Sequence, residues 1–444
     1  MMQFLSILLP LAYLIFFLWV IGYLNYFKTA GFSKTALQFA FIVKAFSGLV
    51  IYLIYTYYYP VRMEADTFKY FDDSKYLYEA LWHRPLDFFK MLLGIDCEND
   101  YFLKEYYSNM FNWYRSYDNG LLNDNRLVIR INAVIRIFSF GNYHVHSLFF
   151  NFLTFLGSYS LARLFVTVSE SKWKAYLAVF LIPSVVFWSA GILKESILIF
   201  ALGSFSWNFY KVMNGHRKLT TYLWLIGLLP ILIIMKFYVF VAFIPAILAW
   251  WISQKTKKTI LVHIVTTVAC LLFALLIGYL VPKYNFLNIM AAKQGDFINL
   301  AKFLKANSSI QMDYLEPNLW SFLKASPKAF VNTLTRPWPT ELKGILFYPP
   351  LFENVFIIFI LMASWFYRKK VSPKQWKFVF FCFTFSVLLF IIIGLTTPII
   401  GAIVRYKIPA IPFLVIVALL FFDASKLPSS IRQNKIILWL HSYL

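Results

Sequence analysis

The chain has 444 residues, of which 60% are hydrophobic, 21% aromatic and only 14% charged. A soluble domain carries roughly a quarter charged residues, so this composition excludes an ordinary soluble enzyme. Many apolar runs are close to the length of a membrane span, which predicts an all-α polytopic membrane protein. The formal charge of +22 does not indicate nucleic-acid binding, because the basic residues lie mostly in short loops, where they set topology and meet anionic lipid.

The cysteines and the first apolar run bear on redox chemistry and targeting. Cys97, Cys270 and Cys382 lie far apart in the chain, so neither a disulfide framework nor a metal-ligand spacing follows. The run at residues 5–24 lacks a basic start and a small-residue cleavage site. We therefore predict that it is a retained membrane span and not a signal peptide.

The apolar runs predict about eleven membrane-spanning helices in a single transmembrane domain of residues 1–444. One run, at residues 221–251, is too long for an ordinary span and contains Lys236. Basic clusters flank this run on both sides, so we predict two short spans that turn at Lys236; the alternative is one strongly tilted span. The other spans are expected at residues 5–24, 37–59, 143–168, 176–190, 196–210, 260–281, 351–367, 378–395 and 408–422.

Two long polar stretches, residues 60–141 and 283–350, separate groups of spans and are too aromatic to be disordered. In the first stretch, residues 85–93 predict a short helix that stops at Gly94, and residues 126–138 predict an amphipathic helix. Helices of this kind lie in the headgroup region of a membrane, so we expect interfacial helices in this loop. The apolar stripe of the amphipathic helix is Leu127, Ile131, Val134 and Phe138.

The distribution of lysine and arginine predicts the orientation of the chain. With about eleven spans, the short basic loops all fall on one face, which is cytoplasmic by the positive-inside rule. The N-terminus then lies outside the cell inner (plasma) membrane and the C-terminus lies in the cytoplasm. Both long loops fall on the outer face, together with the turn at Lys194 and Glu195, the turn at Lys236 and a short turn at residues 396–407.

The scarce carboxylates gather at the start of the first long loop. The chain has 20 Asp and Glu residues, and Glu64, Asp66, Asp72 and Asp73 share one short window after the second span. A carboxylate at the membrane edge serves as a general base on an acceptor hydroxyl or as a ligand for a divalent metal. In the alternative interpretation, Asp66 caps a helix that starts at Thr67, and the other acids are solvated.

This acidic window resembles the first large outer loop of the GT-C superfamily, integral-membrane glycosyltransferases that take sugar from a polyprenyl-phosphate carrier. In that superfamily the loop carries an acidic motif whose Asp acts as base, and the resemblance implies this role for Asp66. Two D-x-x-x-Y patterns fall here, from Asp66 to Tyr70 and from Asp72 to Tyr76.

Residues 183–195 and 401–409 resemble a second group, the bacterial polysaccharide-polymerase-like membrane proteins. Both families handle polyprenyl-linked sugars outside the membrane, and the resemblance in layout covers most of the chain. It implies that cations on the outer face hold the phosphate of a lipid carrier.

Basic residues at the predicted outer turns are the candidates for that phosphate site. Arg405 presents a planar fork of donors that fits phosphate oxygens, and Tyr406 and Lys407 lie beside it. The alternative is an interfacial arginine that reaches lipid headgroups. Lys236 either faces the same cavity or only marks a turn.

Lys194 and Glu195 form an ionisable pair between two predicted spans. Charges at membrane depth are costly, so such a pair is a functional candidate, and the alternative is a mutually neutralised structural pair. Arg336 and Glu341 are further candidates in a turn that two prolines fix. Trp338 in that turn offers a flat face for a sugar ring, or it only anchors a rigid turn at the membrane interface.

Two other signals point away from catalysis. His144 and His146 are two residues apart, so their rings cannot share one helix face and make a poor metal site. The arginines of the amphipathic helix, Arg126, Arg130 and Arg136, fit headgroup binding better than chemistry.

Residues and resemblance together predict a glycosyltransferase of cell-envelope assembly that moves a hexosyl or pentosyl unit from a polyprenyl-phosphate carrier. Its partners are that lipid-linked sugar, a glycan or lipid acceptor and the bilayer, with no nucleic acid. No cofactor is certain; a divalent cation, Mg²⁺ or Mn²⁺, on Glu64 and Asp66 stays open without a complete ligand set. The alternatives are a polymerase of polyprenyl-pyrophosphate-linked repeat units, a multi-span transporter or flippase, and a structural scaffold.

Overall fold

A computed structural model describes residues 2–59, 61–114, 123–306, 308–341 and 344–429. Within these ranges the chain is helical and forms no β-strand, so the predicted all-α class is confirmed. The described residues form two compact units. The first unit takes its residues from 1–164 and 186–236, and the second takes its residues from 165–185 and 237–442.

The helices follow one another in chain order with short connections. The first ten are α1 (Met2–Tyr23), α2 (Lys34–Leu53), α3 (Asp66–His83), α4 (Pro85–Leu93), α5 (Asp100–Glu105), α6 (Asp124–Ser139), α7 (Tyr143–Ser169), α8 (Lys172–Phe180), α9 (Pro183–Trp188) and α10 (Lys194–Met213). The later ones are α11 (Leu219–Met235), α12 (Phe237–Ser253), α13 (Thr259–Leu280), α14 (Phe286–Phe303), α15 (Leu319–Thr335), α16 (Tyr348–Phe366), α17 (Pro373–Thr396), α18 (Ile400–Tyr406) and α19 (Ile411–Phe421).

Several of these helices are long and apolar enough to cross a membrane, which indicates a membrane-embedded protein. In the described part of the chain there are six, or seven if the bent pair of α18 and α19 is one span. The predicted number of about eleven is not confirmed. The six are Ser6–Tyr23, Lys34–Tyr58, Tyr143–Ser169, Thr259–Leu280, Ile345–Phe366 and Pro373–Thr396.

Aromatic side chains and small residues form the core of the first unit. The ring of Phe17 in α1 stacks on Phe152 of α7 at 4.6 Å, and Phe41 of α2 meets Phe155 edge-on at 5.5 Å. Helices α7 and α10 cross at a glycine pair, where a Cβ atom on Gly203 would lie 2.1 Å from the carbonyl oxygen of Gly157. Only glycine permits this approach, and it brings the start of α10 close to α7.

The first long loop, residues 61–114 and 123–139 of the described chain, is folded and helical. The helix predicted at residues 85–93 is confirmed as α4, and Gly94 follows it with φ of 75°. The helix predicted at residues 126–138 is confirmed within α6, which packs along α3.

The buried face of α6 is not simply its apolar face. In the predicted stripe, Val134 and Phe138 are 37% and 50% exposed. The buried face instead combines small and branched residues with amides, among them Val128, Ala133 and Asn132. Val134 and Phe138 are thus partly accessible while Leu127 and Ile131 are half-buried, and insertion of the stripe among lipid headgroups stays a prediction.

The three arginines of α6 hold the first loop together. Arg126 pairs with Glu98 at 2.5 Å, Arg130 donates to the carbonyl oxygen of Met91 at 2.8 Å, and Arg136 donates to that of Phe71 at 2.5 Å. Burial lowers the pKa of Arg136 to about 10. These intramolecular contacts account for the three side chains, whereas headgroup binding by them stays a prediction.

The long apolar run at residues 221–251 divides as predicted, because α11 ends at Met235 and α12 begins at Phe237, on either side of Lys236. The predicted helix at residues 176–190 is wrong as one continuous span. It forms the short helices α8 and α9, since Pro183 lacks an N–H and disfavours helix at the residue before it.

The predicted turn at residues 396–407 is also different in the structure. Residues Ile400–Tyr406 form α18, and α19 follows after a bend of 65°. The predicted span at residues 408–422 is therefore shorter than expected, with helix only at Ile411–Phe421. Pro409 and Pro412 lie at the bend, where missing N–H groups interrupt the helical hydrogen bonds.

Candidate functional site

The turn between α9 and α10 positions Lys194 and Glu195. Gly191 has φ of 67°, a left-handed conformation that glycine adopts without strain. Its N–H donates to Asn151 Oδ1 at 2.8 Å, and the Thr154 hydroxyl donates to the carbonyl oxygen of Ser189 at 3.0 Å. Both partners lie on α7, so a neighbouring helix fixes this turn.

Two further side chains complete the hydrogen bonding of this turn. The Ser196 hydroxyl lies 3.0 Å from the carbonyl oxygen of Ser189 and 2.9 Å from that of Gly191. The buried ammonium of Lys44 in α2 donates to Ser189 Oγ at 2.7 Å. Buried backbone groups need such partners, and satisfying them gives α10 a defined start.

Lys194 and Glu195 each pair with a charged side chain from another segment of the chain. Lys194 Nζ lies 2.7 Å from Asp124 Oδ2, and Glu195 Oε1 lies 3.7 Å from Lys236 Nζ. We call these four side chains the charged cluster. Its carboxylates and ammonium groups are 2–13% exposed, so they interact in a low-dielectric setting.

The charged cluster adjoins the first loop through Tyr70. Lys194 Nζ lies 5.7 Å from the centre of the buried Tyr70 ring, and the Tyr70 hydroxyl donates to Asn125 Oδ1 at 3.1 Å. Asn125 follows Asp124 in α6 and donates to the carbonyl oxygen of Asn112 at 3.0 Å. Helices α3, α6 and α10 therefore meet at the charged cluster.

The predicted acids of the first loop occupy different environments. Asp66 opens α3 one turn before Tyr70; its carboxylate is 41% exposed and lies 3.9 Å from Lys69 Nζ. The N-cap residue of α3 is Ala65, so Asp66 occupies the first helical position and not the N-cap position. Glu64 is exposed in the single turn before α3.

Asp72 and Asp73 have structural partners. Arg62 holds Asp72 with two hydrogen bonds of 2.8 and 2.7 Å. Asp73 is buried and accepts the N–H groups of Phe111 and Asn112 at 2.8 and 2.7 Å. Burial raises the pKa of Asp73 to about 6 although these two bonds lower it. A role of either acid in catalysis stays a prediction.

In the second unit, the predicted cations lie at the break between α18 and α19. Arg405 and Tyr406 are half-buried at the end of α18, and the Tyr406 ring lies 5.9 Å from that of Tyr238. Lys407 is buried and donates to Asn354 Oδ1 at 2.9 Å and to the carbonyl oxygen of Thr333 at 3.3 Å. Lys407 thus anchors the break, and phosphate binding by this group stays a prediction.

The two candidates in the proline-rich turn, Arg336 and Glu341, lie together in the structure. Arg336 makes a short ion pair with Glu341, and the other oxygen of Glu341 accepts the N–H of Trp338 at 2.9 Å. The guanidinium of Arg336 lies 4.9 Å from the centre of the Trp338 ring. These contacts make the turn rigid, while sugar stacking on Trp338 stays a prediction.

Two buried acids in prominent positions were missed at the level of sequence. Asp124 belongs to the charged cluster. The sequence feature that could have identified it is its position in the first turn of an amphipathic helix. Glu353 is 4% exposed and accepts both the N–H and the hydroxyl of Ser184 at 2.5 Å. The sequence feature that could have identified Glu353 is that it is a single acid inside an apolar span, because an unpaired charge there is energetically costly.

His146, one of the two closely spaced histidines, is buried among polar side chains. His146 places its two ring nitrogens 2.7 Å from Ser139 Oγ and 2.8 Å from Asn132 Oδ1, so both are engaged. Across the described ranges, no three His, Cys, Asp or Glu side chains gather as a metal site. A divalent cation at Glu64 and Asp66 stays a prediction.

No family model, no curated protein and no solved structure matches this chain. The resemblance to the GT-C superfamily and to the polymerase-like proteins therefore stays a prediction, and any functional argument rests on the geometry of the described side chains.

Proposed function

We propose that this protein is a glycosyltransferase of the cell inner membrane that moves a sugar from a polyprenyl-phosphate carrier to an acceptor on the outer face. The observation that carries the proposal is the exposed carboxylate of Asp66, one helical turn from Tyr70, whose ring adjoins Lys194 of the charged cluster. One turn of α-helix rises about 5 Å, so this arrangement supports the proposal that Asp66 and the lysines of the charged cluster act on one substrate.

The groups divide the reaction between them. Asp66 takes the proton of the acceptor hydroxyl, whose oxygen then attacks the anomeric carbon of the sugar. The bond between that carbon and the carrier phosphate oxygen breaks, and the electron pair leaves with the phosphate. A fixed cation stabilises the negative charge that develops on this leaving group.

Lys236 suits the phosphate better than Lys194 does. Lys194 lies 2.7 Å from Asp124, within hydrogen-bond distance, whereas Lys236 lies at the longer distance of 3.7 Å from Glu195. An incoming phosphate exchanges more readily with the weaker pair. Lys194 then orients Tyr70 and α10, and Glu195 holds Lys236 in place before the carrier arrives.

A polysaccharide polymerase would use the same base and cations but would transfer a lipid-linked chain. A transporter or flippase is the alternative from another class, because discontinuous helices such as the bent pair α18 and α19 occur in transporters. We favour a glycosyl-transfer reaction over transport by alternating access, because an accessible carboxylate near a buried charged cluster suits general base catalysis.

The test compares lipid-linked sugars and surface glycans in cells that carry the wild-type protein, no protein, Asp66→Asn or Glu79→Gln. Glu79 is the matched control, since it is an exposed carboxylate on the same helix and pairs with Lys75 at 3.5 Å. We expect Asp66→Asn to reduce product about 100-fold or more, because general base catalysis typically contributes that much. Glu79→Gln should match the wild type.

The pattern of products separates the alternatives. Loss of one sugar from an otherwise intact glycan supports the transferase, and loss of long chains with single repeat units intact supports the polymerase. Unchanged glycans and carriers in cells without the protein would contradict both. Full activity of Asp66→Asn, present at wild-type level in the membrane, would remove Asp66 from the mechanism.

A further inference from the structure

A polar pocket of about 300 Å³ lies in the second unit. The end of α7, the start of α8, the segment before α17 and the segment after α19 form its walls. Its lining includes two lysines, Lys174 and Lys369, two acids, Glu170 and Asp423, and the polar residues Gln375 and Ser425.

The walls of this pocket are tied to one another by backbone hydrogen bonds. The N–H of Lys369 donates to the carbonyl oxygen of Phe421 at 2.8 Å, and the N–H of Asp423 donates to that of Tyr367 at 2.8 Å. The Gln375 amide donates to the carbonyl oxygen of Val168 at 3.0 Å. A preformed pocket binds a ligand without the cost of ordering its own loops.

A buried ammonium group lines the pocket. Lys174 is 5% exposed, and its ammonium donates to the carbonyl oxygen of Phe422 at 2.6 Å. A lysine carries three donors, so this bond does not exhaust its capacity. Burial lowers the pKa of Lys174 to about 8, and the nearby charge of Lys369 acts in the same direction.

Two carboxylates, those of Glu170 and Asp423, share the pocket with the lysines, and Asp423 interacts electrostatically with both Lys174 and Lys369. Asp423 accepts the N–H of Ser425 at 3.1 Å and its hydroxyl at 2.7 Å through one carboxylate oxygen. Two ammonium groups that share one pocket repel each other, and a bound anion relieves this repulsion. The segments around the pocket add further positive charge, from Lys172, Arg368, Lys370, Lys374, Lys377 and Lys426.

We infer that this pocket binds the phosphate group of an anionic ligand, held between the side chains of Lys174 and Lys369. Ser171 and Gln375 lie in the same wall and add neutral polar groups. A phosphate offers several oxygens, so it can accept from both ammonium groups at once. The phosphate comes either from the headgroup of an anionic phospholipid or from solution, and basic pockets at membrane edges accept both kinds of group.

The experiment uses the full chain in nanodiscs and a matched pair of variants. Lys369→Gln and Lys370→Gln remove the same charge from neighbouring residues, but only Lys369 lines the pocket. Both substitutions keep the backbone N–H of residue 369, so the bond to Phe421 survives. The thermal unfolding midpoint is measured in phosphatidylcholine discs with increasing inorganic phosphate, and then in discs that contain phosphatidylglycerol without added phosphate.

We expect the midpoint of the wild type and of Lys370→Gln to rise with the ligand. Lys369→Gln should need about tenfold more phosphate or phosphatidylglycerol for the same rise, the loss expected for one charge-assisted hydrogen bond. A response to inorganic phosphate in phosphatidylcholine discs identifies a dissolved anion as the ligand. A response to phosphatidylglycerol discs alone identifies a lipid headgroup.

Two results would overturn the inference. If Lys369→Gln and Lys370→Gln weaken the ligand-dependent rise of the midpoint equally, the ligand is attracted to a basic surface as a whole and is not bound in this pocket. Such surface attraction is screened by salt. No rise of the wild-type midpoint with either ligand would show that the pocket binds no phosphate group.

Discussion

Asp72 and Asp73 are neighbours in the chain, yet the physical state of their carboxylates differs. Asp72 is about a third exposed and pairs with Arg62 on the surface. Asp73 has no exposed surface and holds the segment at residues 111–112. Both residues belong to the same acidic window of the sequence. Only the fold shows that Asp72 lies at the surface and that Asp73 lies in the interior.

We expect Asp73→Asn to destabilise the protein by about 1–3 kcal/mol at neutral pH, because the amide leaves one of two buried N–H donors without an acceptor. Asp72→Asn is the control and should cost less than about 1 kcal/mol, as for other exposed ion pairs. The measurement is the free energy of unfolding in detergent. Equal effects of the two substitutions would contradict the structural role of Asp73.

The raised pKa of Asp73 adds a pH dependence. Because the folded protein binds this proton more tightly than the unfolded chain, the contribution of Asp73 to stability is greatest below about pH 4. It falls as the pH rises to about 6, where the folded group ionises, and then stays constant. The variant Asp73→Asn should lack this fall, and an identical pH profile in both proteins would refute the assignment.

Lys194 and Glu195 illustrate what adjacency in sequence can and cannot show. Their position between apolar runs identified them as candidates, since unpaired charges are costly there. Their partners, Asp124 and Lys236, come from segments far away in the chain. Pairing across such distances depends on packing, which no local pattern encodes.

At the scale of elements, the turn between α9 and α10 decides where the charged cluster lies. Its buried carbonyl groups accept from side chains of α7 and α10, and Lys44 of α2 donates to the Ser189 hydroxyl. Sequence showed a conspicuous segment at residues 183–195, but not that three helices supply its hydrogen bonds.

We expect Gly191→Ala to cost roughly 1–2 kcal/mol, because a residue with a Cβ atom is strained at φ of 67°. Gly227→Ala is the control, since Gly227 lies inside α11 with no described atom within 4 Å of an added Cβ. That substitution should leave stability unchanged or raise it by up to about 1 kcal/mol. The thermal unfolding midpoints of the two variants provide the comparison, and equal midpoints would contradict the role of the turn.

The periodicity of the sequence predicts the amphipathic helix α6, but it does not predict which face of the helix is buried. Period 3.6 identifies a helix whichever face is buried. In the structure, amides and Arg136 share the buried face with branched residues, and the predicted stripe contains the exposed Val134 and Phe138. At the interface with α3, buried hydrogen bonds of Asn125 and Arg136 determine which face of α6 is buried, and the apolar stripe does not.

At the scale of the whole molecule, orientation in the membrane is the property that the charge pattern predicts and that labelling can test. We expect cysteines placed at Ser108 and Gln311, in the two long loops, to react with an impermeant maleimide on intact cells. Cysteines placed at Lys257 and Lys370 should react only after the membrane is opened, because basic short loops face the cytoplasm.

The labelling needs a background in which the half-buried Cys270 is replaced, while Cys97 and Cys382 are buried. Reaction of all four positions from the same side, or of the two long loops from opposite sides, would contradict the predicted topology and with it the proposed outer-face chemistry.

The sequence by itself determined the class of this protein, because long apolar runs have few folded solutions other than membrane helices. It also determined α4, α6 and the break at Lys236, since these follow from local period, glycine and charge. The tertiary structure alone decided which charges pair, which helices are broken and which acid remains accessible. Those outcomes depend on contacts between distant segments, where burial and hydrogen bonding outweigh the local preference of each residue.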